Sequence, residues 1–68
     1  MRIDKQKLEQ AMVRERISNA ALSAAVGLSS SKISRAKREM NVTFHPTIIA
    51  RIARALNVDV SEITEPVA

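Results

Sequence analysis

Between residues 29 and 45 the chain gathers Lys32, Arg35, Lys37 and Arg38 against one acid, Glu39, a balance of +3. Residues 1–28 come to +2 and residues 46–68 to −1, so the positive excess peaks in a short central stretch. Three consecutive serines, Ser29, Ser30 and Ser31, open it. Lysine and arginine present donors only, suited to anionic oxygens, and the arginine fork also matches O6 and N7 of guanine. Serine hydroxyls add short-range donors and acceptors. This is the chemistry of holding a polyanion. Acid–base chemistry finds no comparable set: seven acidic residues and the single histidine, His45, show no paired carboxylates, metal-ligand spacing or nucleophile–base arrangement. With one glycine in the chain there is no glycine-rich phosphate loop. An enzyme is therefore not expected, nor a cofactor, a metal site or a small-molecule ligand.

Sixty-eight residues make one domain, 1–68, whose core must be compact, because a chain this short buries only about 60% of its unfolded surface. Cysteine is absent, so neither disulfides nor thiolate zinc can supplement that core. An apolar content of 46% fits a globular domain. No apolar stretch reaches the roughly 18 residues of a membrane span, and no signal-peptide pattern opens the chain. A cytoplasmic location is the expectation.

Breakers are scarce: Gly27, Pro46 and Pro66 are the only glycine and prolines. Helices should dominate, divided by capping signals. Asp4 suits the N-cap of a first helix to about Arg16, with Ile3 and Leu8 placed as a hydrophobic staple and Leu8, Ala11, Met12 and Glu15 at stripe spacing. Ser18 suits a second, from Asn19 to about Ala25, with Ala21, Leu22, Ala25 and Val26 on its apolar side and Gly27 at its left-handed stop. Leu28 returns to the core. Ser29 caps a third helix, Ser30 to about Glu39, with Ile33, Ala36 and Met40 inward and Ser30, Ser31, Ser34, Arg35 and Arg38 outward. Residues 41–45 read as a loop in which Thr43 and His45 lie. Pro46 opens a fourth helix through Ile48, Ile49, Ile52, Ala53 and Leu56, with His45 as its cap and Asn57 as its left-handed stop. Asp59 and Glu62 resemble a capping box for a final short helix through Ile63. Residues 1–3 and 64–68 are expected to be flexible.

The unit Ser18 to Lys37 is two short capped helices joined by a glycine-centred turn. Helices so joined must cross widely, at roughly 90–120°, so that one braces while the other projects its outer face. A helix fits the DNA major groove, where base pairs show distinguishable donor and acceptor patterns. The run Ile17–Glu39 followed by Ile49–Ile63 resembles the Cro and phage-repressor (XRE-like) helix-turn-helix family. Its most specific pieces are Leu22, Ala25-Val26-Gly27-Leu28-Ser29, Ile33-Ser34-Arg35 and Ile52-Ala53-Arg54-Ala55-Leu56, and it covers nearly the whole chain.

That resemblance implies an all-α, five-helix, lambda-repressor-like DNA-binding domain with the helix-turn-helix at helices 2 and 3. It implies base contacts at Ser30, Ser31 and Arg35, and phosphate contacts at Ser18, Asn19, Lys32 and in the loop that holds Thr43; Arg38 joins the phosphate set by its position on the outer face. Two departures stand out. Where the family pairs an arginine on the first helix with a glutamate on the third, this chain has Met12 and Lys37; the Lys37 stem is expected to lie over Met12 with its ammonium in solvent or on a phosphate. The usual glycine-bearing turn after the third helix is replaced by Glu39-Met40-Asn41. The expected function is a sequence-specific transcription regulator of double-stranded DNA, a repressor of phage, plasmid or mobile-element type. It would bind its operator as a homodimer, for which Val58, Val60, Ile63 and Val67 are candidate interface residues. The alternative is a DNA-targeting or protein-interaction module of a larger assembly, such as an antitoxin or a longer regulator.

Overall fold

A computed structural model describes residues 1–39 and 42–65. Among them it places four α-helices, α1 (Lys5–Glu15), α2 (Asn19–Val26), α3 (Ser30–Arg38) and α4 (Pro46–Ala55), and one 3-10 turn (Val60–Glu62). The architecture is all-α, as expected. The fifth helix is reduced to that single turn, because Ile63 plunges into the core and Thr64 continues as extended chain that pairs with Ile3.

The four helix starts and the ends of α1, α2 and α4 follow from local hydrogen bonds. The Asp4 carboxylate accepts from the Gln6 and Lys7 amides at 3.0 and 3.1 Å. Ser18 Oγ accepts from Ala21 N–H at 3.1 Å, and Ser29 Oγ from Lys32 N–H at 3.3 Å. His45 Nδ1 accepts from Thr47 N–H at 3.2 Å, which caps the proline-initiated α4. At the other ends, Arg16 and Asn57 both take left-handed conformations, φ 56° and 57°. In each case the amides just past the helix donate back three and five residues: Arg16 to Val13 O and Ile17 to Met12 O, Asn57 to Arg54 O and Val58 to Ala53 O. These are Schellman endings, and they return Ile17 and Val58 toward the core. Gly27, φ 84°, ends α2 with its amide on Ser23 O.

The core joins every element: Ile3, Leu8, Ala11, Met12, Leu22, Val26, Ile33, Ala36, Ile49, Ile52, Ala53, Leu56 and Ile63 are all buried. Ile3 and Leu8 are both in it, as a staple at the start of α1 requires. On α2 only Leu22 and Val26 are buried; Ala21 and Ala25 face solvent, so the apolar side is narrower than the sequence suggests. Glu15, at the end of the α1 stripe, is also exposed. The elements pack in a closed ring. α1 lies on α3, α3 on α2, α2 on α4, and the 3-10 turn touches both α4 and α1.

The chain ends take part in that closure. Ile3 is buried, its amide donates to Val42 O at 2.8 Å, and Arg2 and Thr43 form an antiparallel bridge. On its other side the segment pairs with Thr64, through Asp4 N–H to Ile63 O at 3.0 Å and Glu65 N–H to Arg2 O at 3.1 Å. Residues 1–3 and 64–65, expected to be loose, are thus held by backbone pairing; residues 66–68 lie outside the described residues. Ile63, a candidate dimer contact, is fully buried, and Val58 and Val60 are half-buried against the core. Those three side chains are engaged within the domain because the last turn must close the ring. Val67 and the inward position expected for Met40 lie outside the described residues.

Because Ile63 is fully buried just after the 3-10 turn that touches α1 and α4, Ile63→Ala should destabilise the domain by about 2–5 kcal/mol. Val13, 71% exposed on α1, serves as the control. Val13→Ala should change stability by no more than about 0.5 kcal/mol. Urea unfolding of both variants checks the pair.

Candidate nucleic-acid interface

Helix α3 is attached to the domain through Ile33 and Ala36, its buried side chains. Its opposite face carries Ser30, Ser31, Lys32, Arg35 and Arg38, all exposed. The expected reading and anchoring residues on α3 therefore share one solvent face, with the serines at the helix N-terminus. Ser29, one residue earlier, is taken up by its capping bond. Among the described residues neither Lys32 nor Arg38 carries an ion pair, so both ammonium and guanidinium charges are open to an anionic partner.

Arg35 differs. Its Nε lies 2.9 Å from Oε2 of Glu39, four residues along, with both side chains more than half exposed. The spacing is visible in the sequence, where Glu39 is the one acid of the basic stretch and stands at the end of the third helix.

The flank of the helix-turn-helix holds a second arrangement the sequence reading missed. Asn19 Nδ2 donates to Ser34 Oγ at 2.8 Å, and Lys37 Nζ donates to Asn19 Oδ1 at 3.1 Å. One amide at the start of α2 is thereby clamped between two residues of α3. Ser34 is half-buried under this clamp and is not an outer-face residue. Lys37 is also half-buried, and its ammonium turns to Asn19 instead of reaching solvent or a phosphate. The physical reason is proximity: α3 packs on both α1 and α2, and the amide oxygen of Asn19 is the acceptor within reach of a partly desolvated ammonium. The Lys37 bond thus runs to α2, while the first-helix position at which the resemblance implies an arginine holds the buried, uncharged Met12.

The remaining expected residues lie around this face. Ser18 is exposed, but its hydroxyl is occupied by the α2 cap. Thr43 is exposed, with its backbone fixed by the bridge to Arg2. Arg51 and Arg54 are exposed on α4, away from the buried Ile49, Ile52 and Ala53. Among the described residues no cluster of three or more His, Asp or Glu is positioned to hold a metal ion. Nor is any helix there long and apolar enough to cross a membrane.

A family model for the Cro/C1-type HTH DNA-binding domain matches residues 7–68. The chain belongs to this family. Solved structures agree on the fold. Two of them are described as "Phpd with cadmium complexed with hydroethylphosphonate (HEP)" and "Native PhpD with Cadmium Atoms". They superpose with TM-scores of 0.78 and 0.79 at 25% identity over all of this chain. In each, the Cro/C1-type chain spans 14% of the matched protein's length. No curated protein sequence matches it. The resemblance read from Ile17–Glu39 and Ile49–Ile63 is thus the family to which this Cro/C1-type domain belongs.

The clamp predicts a measurable coupling. Asn19→Ala and Lys37→Ala should each destabilise the domain, and a double-mutant cycle between them should give about 0.5–1 kcal/mol of interaction energy. Additive effects of the two changes would mean that the Lys37–Asn19 bond contributes nothing in solution.

Proposed function

We propose that this Cro/C1-type domain is a sequence-specific transcription regulator, a repressor of phage, plasmid or mobile-element type, that reads the major groove with α3. The observation that carries the proposal is the division of α3 into two faces. Ile33 and Ala36 hold it to the core, and every position expected to meet a base or a phosphate on this helix is exposed on the other side. Arg35 contacts a guanine through its guanidinium, while Ser30 and Ser31 at the helix start touch bases or bridging waters. Lys32 and Arg38 anchor the flanking phosphates, and Thr43 adds a backbone contact from its fixed loop.

Ser18 and Asn19 meet phosphate in a different manner from that of free side chains. Their polar atoms are engaged in the cap and the clamp, so the first-turn amides of α2, with the helix dipole behind them, supply the contact.

The longest dimension of the domain is 32 Å. Two half-sites one helical turn apart are separated by roughly 34–36 Å, so a single copy covers one of them. A palindromic operator therefore needs a homodimer. Its interface lies outside Ile63, which the core has absorbed.

A second reading has one specific observation in its favour. The same fold makes up 14% of the longer PhpD chains, so a domain of this kind also exists as a part of something larger. In that case α3 targets or contacts nucleic acid on behalf of other domains or a partner protein.

In vitro selection of duplex sites, followed by binding at several salt concentrations, separates the readings. The regulator reading expects a preferred site bound at least about 10³-fold more tightly than random duplex. Steep salt dependence without any preferred site would overturn it. On the selected site, Arg35→Ala should cost about 1–3 kcal/mol and relax one base position, whereas Lys32→Ala should weaken all sequences alike. Solution mass with and without the operator tests the dimer.

A further inference from the structure

We infer that Glu39 is a specificity-determining residue: by its contact with Arg35 Nε it positions the Arg35 guanidinium for base readout and withholds it from phosphates. The inference rests on the assignment of Arg35 as a base reader, and deepens it. Glu39 is the C-cap of α3, with extended backbone and an exposed side chain. That is the wrong place for a carboxylate if helix stability were its purpose, since the C-terminus is the negative end of the helix dipole. The order is also the weaker one, because a helix favours the acid four residues before the base, not after it. Nor does an acid help a surface meant only to attract phosphate; it is the sole negative charge of residues 29–45. What Glu39 does gain is its carboxylate oxygen 2.9 Å from Arg35 Nε.

The chemistry of that contact is selective. Guanidinium has five N–H donors, and Nε supplies one of them. With Nε held by Glu39, the two terminal amino groups stay available as a forward-facing pair, the arrangement that a guanine O6/N7 edge accepts. A phosphate must compete with the carboxylate for the same cation, while a base edge brings no competing charge. Lys32 and Arg38 lack an acidic partner among the described residues and remain the phosphate anchors. One exposed face thus contains two kinds of cation, separated by whether an acid holds them.

The test compares Glu39→Ala and Glu39→Gln with the unaltered protein. Binding is measured on the selected duplex, on the same duplex changed at the base pair that Arg35→Ala relaxes, and on random duplex. Thermal unfolding shows first that each variant is folded. Both variants lose the charge, so both should bind random duplex more tightly. Glu39→Ala should lower discrimination at the Arg35-dependent base pair by about two- to fivefold, since an exposed i,i+4 pair shifts conformer populations about twofold and excluding water strengthens it. Glu39→Gln keeps an oxygen that can meet Nε and should recover much of that discrimination. If both variants tighten all duplexes equally and discrimination is unchanged, Glu39 is only a charge and the inference is wrong. If Arg35→Ala relaxes no base pair at all, it is instead the base-reading assignment of Arg35 that fails.

Discussion

The burial of Ile33 and Ala36 is the constraint on which the rest depends. A helix with an exposed basic face must be held from behind, and on α3 these two side chains do the holding. Neither is polar, so the attachment is non-directional and sets the helix's depth more firmly than its rotation. Rotation is controlled by directed bonds at its flank. The amide of Asn19, fixed at the start of α2, reaches Ser34 on one side and Lys37 on the other. Those two partners lie one turn apart on the same flank of α3, so a single side chain pins that flank at two points along the helix.

The same economy governs the domain as a whole. With no disulfide and a small core, a linear stack of helices would leave both end elements bound on one side only. The ring of packing avoids this, since the 3-10 turn joins α4 to α1 and the terminal segments are laced to the loop before α4 by short backbone bridges. Thr43 lies in that loop, and the bridge to Arg2 fixes its backbone.

Much of the architecture was legible in the residues. Asp4, Ser18, Ser29 and His45 cap the helices they were expected to cap, Gly27 and Asn57 take the left-handed stops, and the buried positions of α4 follow its apolar stripe. These are short-range matters, in which a side chain answers an amide two or three residues away. The Arg35–Glu39 contact is equally local, and its spacing was there to be read. The ends were not legible. Two-residue bridges of Arg2-Ile3 with Thr43 and Thr64 leave too short an alternation to register as strands, and their partners are some 40 to 60 positions away.

What the sequence determined by itself, then, was the helix-turn-helix and the residue types on the outer face of α3, because caps, a glycine turn and a 3.6-residue period act within a few residues. Tertiary structure decided which of those side chains remain available. Lys37 and Asn19 look like surface groups for phosphate until α2 and α3 pack, and then each becomes the other's partner. Ile63 looks like an interface residue until the last turn closes the ring. Availability depends on what lies across the gap between elements, and no local pattern carries that information.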